Sequence, residues 1–264
     1  MAQLGELRER IGFVRDQLSL LTTDLQLFEN ASVEGHFAHS YLGDGRLSNL
    51  TWDVFVLQKE PVPVRLRAHA GMIANELRAT LDNLACLLAE RNGNPPSTTY
   101  FPISKSKEIF DDDGRRKMRA LSVADRQVIA DLRPYRGGDD LLWGLHEADR
   151  RRKHQRLGAC AVMGAKMIID DHLFGGPGIQ GARWIEKNTG PQQQPERMWW
   201  DPARLSGVEV GRLTQVAGGL PLSWKAKFRF EVAYMDPAEL HGKAVGPTLA
   251  AFADRVEEIV GLFG

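Results

Sequence analysis

One pattern near the start of the chain constrains the fold more than any other. Leu4, Leu7, Ile11, Val14, Leu18, Leu21, Leu25 and Phe28 follow one another at alternating steps of three and four. An α-helix repeats every 3.6 residues, so this spacing puts every one of those side chains on one stripe. It predicts a single long helix over residues 3–29. A seam sustained for more than three heptads has two uses: it lies along the core of its own domain, or it pairs with a second copy as a coiled coil. The second use makes a homo-oligomer through the N-terminal helix the expected partner relationship.

After this helix the period changes. Val33, Gly35 and Phe37 alternate with polar positions, as do Trp52, Val54 and Val56, and Gly43-Asp44-Gly45 has turn chemistry, so residues 32–58 read as a β-hairpin. Pro61 and Pro63 bias the chain toward extended structure ahead of a second helix over 65–91. That helix has an apolar stripe at Leu66, Ala70, Ile73, Leu77, Leu81, Leu84 and Leu88. Beside it runs a stripe of small and polar residues: Gly71, Asn75, Arg78, Asp82, Ala85 and Ala89. Small residues admit a close helix, so Arg78 and Asp82 are expected to face protein rather than water. Asn92-Gly93-Asn94-Pro95-Pro96 ends the helix. Ser122 reads as the N-cap of a helix to about Leu132, and Asp139 or Asp140 as the cap of the next.

Beyond Ala159 strands are expected at 159–169, 183–185 and 208–216, and most clearly at 224–234. There Trp224, Ala226, Phe228, Phe230, Val232 and Tyr234 alternate with a largely charged set. Leu249, Phe252, Val256, Ile259 and Phe263 give a closing amphipathic helix over 246–263, with Pro247 in its first turn. The fold class expected is α+β: a helical, bundle-like half with the long N-terminal helix, packed with an antiparallel β-sheet and a C-terminal amphipathic helix. All 264 residues read as one domain.

Global charge names no partner, because 34 Lys and Arg balance 34 Asp and Glu. The only cysteines, Cys86 and Cys160, form neither a disulfide framework nor a zinc site, which fits a reducing cytoplasm. No apolar run reaches the roughly 18 residues of a membrane span, so no membrane partner is expected. No cofactor or metal is expected either. His36 and His39, Asp170-Asp171-His172 and Asp111-Asp112-Asp113 fall short of complete ligand sets, and Gly175-Gly176-Pro177-Gly178 lacks the Lys-Ser/Thr ending of a phosphate loop.

The chemistry concentrates in Leu141–Leu157, LLWGLHEADRRRKHQRL. Six of the eight residues from Asp149 to Arg156 are charged, with a sum of +4. The inward stripe that begins at Leu142 and Leu145 reaches Asp149 and then Lys153. Buried charges need partners, and the earlier helix offers Arg78 and Asp82. The expectation is therefore a structural polar network in which Arg78 pairs with Asp149 and Asp82 with Lys153. Arg150, Arg151 and Arg156 point elsewhere and are the candidates for nucleic-acid binding. His154 is the candidate catalytic base, with Arg150 as the cation beside it.

These residues carry two resemblances. Leu77-Arg78-x-x-Leu81-Asp82-x-Leu84, Phe101-Pro102-Ile103 and Leu145-His146-Glu147-x-Asp149-x-x-x-Lys153-His154 together resemble an uncharacterised family of bacterial and phage proteins. That family pairs an LRxxLDxL helix with a later KHR-type helix over what would be roughly residues 50–263. Here Gln155 stands where the family has Arg, and Arg156 follows. The resemblance implies a role for Arg78, Asp82, Asp149, Lys153 and His154 without naming it. The same helix is also similar to the HEPN domains (higher eukaryotes and prokaryotes nucleotide-binding), many of them metal-independent ribonucleases with four to six residues between an Arg and the following His. In this chain three residues separate Arg150 from His154, and Asp149 holds the nearest HEPN-like spacing. The leading expectation is an intracellular binding or assembly protein with a buried charged network and a basic helix that meets nucleic acid. The alternatives are a HEPN-like ribonuclease and a small-molecule binder with its pocket between sheet and helices.

Overall fold

The structure is a computed structural model that describes residues 2–40, 51–58, 60–97, 99–154, 160–168, 182–186, 198–199, 207–215 and 227–264. Side chains are described for 4–32, 60–97, 99–150 and 231–264. The described chain divides into two compact units. The first comprises Met1–Asp24, Val64–Ala159 and Met235–Gly264, and the second Leu25–Pro63 and Cys160–Tyr234. Both are discontinuous in sequence, so no linker composition marks where the chain passes from one to the other.

Helices form the first unit, and its bundle-like character is as the sequence predicts. Helix α1 (Ala2–Ser32) is the long N-terminal helix. From Leu7 to Phe28 every seam residue is buried within the chain. Its own core therefore covers the seam, and the coiled-coil use of that stripe is not the one adopted. The physical reason lies in α2 (Val64–Arg91) and α7 (Val245–Gly261), against which α1 is tied. Arg10 donates to Glu76 Oε1 from Nε at 2.8 Å, and the His69 ring lies 3.2 Å from the Gln17 amide oxygen. Arg15 reaches Asp254 at 2.7 Å and Glu257 at 2.5 Å on α7. The pairs 10–76 and 17–69 run in opposite senses, so α1 and α2 are antiparallel.

The two long apolar stripes of α2 and α7 supply most of the remaining core, including Leu77, Leu81, Leu84, Phe252, Val256 and Ile259. The end of α2 is a Schellman turn: Gly93, at φ +73°, lets Asn94 N–H reach Ala89 O and Gly93 N–H reach Glu90 O. Arg91 in the last turn of α2 donates to Asp125 at 2.6 Å and to Phe263 O at 3.1 Å. It thereby joins the short helix α5 (Val123–Asp131) and the carboxyl end of the chain. Between these elements come α3 (Lys107–Ile109), a π-turn (Phe110–Gly114) and α4 (Arg115–Lys117). Here Asp111, Asp112 and Asp113 are paired with Lys107, Arg115, Arg116 and Lys117, so the acidic run is neutralised locally. Helix α5 (Val123–Asp131) is capped by Ser122, whose hydroxyl accepts from Asp125 N–H at 3.1 Å.

Helix α6 (Asp140–His154) carries the charged stretch. Asp139 is its cap: one carboxylate oxygen accepts from Leu142 N–H at 2.9 Å, and the other from Arg255 of α7 at 2.8 Å. Gly144 makes the crossing with α7 possible, since a Cβ there would stand 3.0 Å from Leu240 Cδ2 and 3.4 Å from Phe252 Cζ. Among the described residues no helix is long and apolar enough to cross a membrane.

In the second unit the described segments pair as antiparallel strands. β1 (Val33–Ser40) lies beside β2 (Thr51–Gln58) in the register Val33 to Gln58, and β2 lies beside β6 (Gly207–Gln215). β4 (Ala182–Glu186) and β5 (Met198–Trp199) also pair with β6. β3 (Cys160–Ile168) pairs separately with β7 (Lys227–Tyr234). Glu29, near the end of α1, accepts from Val232 N–H at 2.8 Å. The turn residues Gly43–Gly45 and Trp224–Ala226 lie outside the described residues.

Candidate functional site

The polar centre of the helical unit is built on one turn of α2. Arg78 and Asp82 are four residues apart and therefore adjacent on the helix surface, with Arg78 Nη1 2.7 Å from Asp82 Oδ1. That contact is an ion pair whose geometry is off the hydrogen-bond axis. The hydrogen bonds run to a third party. Arg78 Nη2 donates to Phe101 O at 2.8 Å, and Asp82 Oδ1 accepts from Phe101 N–H at 3.0 Å. Phe101 begins an extended segment outside any sheet, and its ring is fully buried. A buried backbone N–H and C=O with no ladder partner must be satisfied otherwise. Two charged side chains one helical turn apart do so here, clamping the segment onto α2.

The clamp extends to the approach of α6. Ser104 N–H donates to Pro134 O at 3.0 Å and Arg136 N–H to Ser104 O at 3.2 Å. The loop between is tight: Arg133 has φ +51° and Gly137 φ +81°. A Cβ on Gly138 would fall 2.2 Å from Arg133 O. Segment 101–104 is thus held by α2 on one side and by the loop preceding α6 on the other.

On α6 the inward stripe turns polar at Asp149, as the sequence predicts, and Glu147, outside that stripe, is buried as well. Glu147 and Asp149 are both 4% exposed. Exposed Arg150 forks onto Glu147, with Nε to Oε1 at 2.8 Å and Nη2 to Oε2 at 2.7 Å. The His146 ring lies 5.5 Å from that of Trp143. Burial pushes the His146 pKa down from 6.5 to about 4, and the positive charges of Arg78 and Arg150 push the same way. Glu147 and Asp149 oppose the shift without overcoming it. His146 is consequently neutral at pH 7, a packed ring between charged neighbours.

The residues singled out in the sequence fall into three groups. Arg78 and Asp82 meet on α2, and the charges of Arg78 and Asp149 both act on the His146 ring; Arg78 (8% exposed) and Asp149 are buried. Arg78 pairs with Asp82 on its own helix, whereas the sequence expectation puts its partner, Asp149, on α6. Arg150 is exposed, but its guanidinium already holds Glu147. Arg151, Lys153 and His154 belong to the backbone of α6 with side chains outside those described, and Arg156 lies beyond the described residues. The Asp82–Lys153 pair and the candidate base His154 lie outside the described side chains for the same reason. Phe101 and His146 enter the sequence analysis within the family resemblance, without the roles that the structure gives them. The available signal for Phe101 was an extended Phe-Pro-Ile segment with no strand of matching pattern nearby, whose backbone groups needed partners. Among the described residues no three His, Cys, Asp or Glu gather as a metal site. No family model, no curated protein and no solved structure matches the chain.

Proposed function

We propose that the chain is a binding protein whose helical unit presents the cationic end of α6 to a polyanion, single-stranded RNA being the probe of choice. The observation that carries this reading is the commitment of the polar centre to architecture. Arg78 and Asp82 are engaged by the Phe101 backbone, and His146 is packed and neutral. A centre so occupied holds α2, segment 101–104 and α6 in place; it offers no reacting group to a substrate. The partner's phosphates are assigned to Arg151 and to Arg156, two residues past α6 in sequence, with Arg150 contributing through whatever field Glu147 leaves it. Such contacts neutralise phosphates and release counterions, so affinity falls as salt rises.

In this reading the chain is α+β, with a helical unit and a second unit of antiparallel strands, and it works in the cytoplasm. The test is fluorescence anisotropy of a labelled single-stranded RNA against the full chain at several salt concentrations. Arg151→Glu with Arg156→Glu is expected to abolish binding while leaving thermal unfolding unchanged. Following the RNA on a denaturing gel separates binding from the ribonuclease alternative: cleavage lost in His154→Ala would replace this reading with a catalytic one.

A further inference from the structure

We propose that the outer face formed by α1 and α2 is a self-association surface, on which a second copy of this chain seats with its α1 over α2 and its α2 over α1. This is not the buried seam of α1 but the opposite side of that helix. Three large apolar side chains stand there more than half exposed: Phe13 at 57%, Leu20 at 59% and Met72 at 59%. Single exposed apolar residues are ordinary on a protein surface; aligned ones are not.

The alignment follows from the helix pairing. Phe13 and Leu20 are seven residues apart and share one line of α1. Phe13 falls between Arg10 and Gln17, the two α1 residues that touch α2, and Met72 falls between their partners His69 and Glu76. Phe13 and Met72 are therefore level with each other on adjacent antiparallel helices. Above and below Met72 the outer line of α2 carries Ala68 and Ala79, side chains small enough for another helix to approach closely.

Charge selects the occupant and its orientation. The α1 side of the face is acidic, with Glu9 and Asp16 exposed, and the α2 side is basic at Arg65, exposed on the line of Met72. A two-fold axis along the groove between the helices lays α1 of one copy over α2 of the other. It brings acidic edge to basic edge and Phe13 of one copy onto Met72 of the other, in a four-helix arrangement. A two-fold axis across the helices would instead set α1 on α1, and Glu9 and Asp16 would meet their own copies. The surface is thus self-complementary in one orientation and repulsive in the other.

Sedimentation equilibrium of the full chain across the micromolar range tests this. The expected species has twice the chain mass. Phe13→Glu and, separately, Met72→Glu are expected to weaken the dimer by about tenfold or more while far-UV circular dichroism and thermal unfolding stay at their wild-type values. Both sites are exposed, so neither change removes core. Arg65→Glu is expected to weaken the dimer and Asp16→Arg in the same chain to restore it. A wild-type chain that stays monomeric overturns the proposal, as does a dimer that survives both apolar substitutions, or one that Arg65→Glu leaves as tight as before.

Discussion

Protonation of His146 should control how this protein responds to mild acid. In the folded chain its pKa is lowered from 6.5 to about 4, first by burial and then by the nearby Arg78 charge. The unfolded chain therefore takes up the proton first. Between pH 6.5 and about 4 unfolding binds a proton, so stability falls as pH falls through that window and is at its full value above it. At about 1.4 kcal/mol per pH unit the whole interval is worth on the order of 3 kcal/mol, a large part of the stability of an ordinary domain. Other groups titrate in the same range, so the informative quantity is a difference. His146→Gln keeps a neutral polar side chain and removes the titration. Urea unfolding of wild type and variant, followed by circular dichroism at steps from pH 7 to pH 4.5, should give curves whose separation changes steadily. The wild type loses about 2 to 3 kcal/mol relative to the variant across that span. Parallel pH dependences in the two proteins would refute the reasoning, since they would mean that His146 accepts its proton equally in both states.

Two further perturbations probe the framework. Arg78→Met removes the donor to Phe101 O and the Asp82 contact at 2.7 Å from a buried site, and is expected to cost about 3 kcal/mol. Because Asp82→Leu breaks the same clamp, the double variant should lose less than the sum of the two single ones in a denaturant-unfolding cycle. Gly138→Ala sets a Cβ against Arg133 O, at 2.2 Å in the unrelaxed chain, and is expected to destabilise by about 2 kcal/mol or more. Its reading is the midpoint of thermal unfolding.

The helical unit was legible because its signals are local. The 3-4 spacing of α1, the stripe of α2, the caps Ser122 and Asp139 and the Asn-Gly end of α2 each act within a turn or two, and each is found where the sequence places it. The use of the α1 seam was not legible, because a heptad stripe buries equally well against its own domain or a copy. Only the tertiary contacts of Arg10, Arg15 and Gln17 decide. The polar centre was half legible. A charged inward stripe on α6 and an Arg/Asp pair on α2 pointed to the right neighbourhood, since buried charges must be answered. What answers Arg78 and Asp82 is a backbone N–H and C=O at Phe101, and backbone groups leave no mark in composition or period. The neutrality of His146 likewise depends on burial and on Arg78, a residue 68 positions away in the chain.

The claim that the cationic end of α6 meets a polyanion is tested most directly by the salt dependence of RNA binding. With Arg151 and Arg156 each neutralising a phosphate, and Arg150 in part, the logarithm of the affinity should fall against the logarithm of salt with a slope between about −1.4 and −2.1. Replacing Arg151 alone should reduce that slope by about 0.7. A slope near zero, or one that Arg151 and Arg156 do not affect, would contradict it.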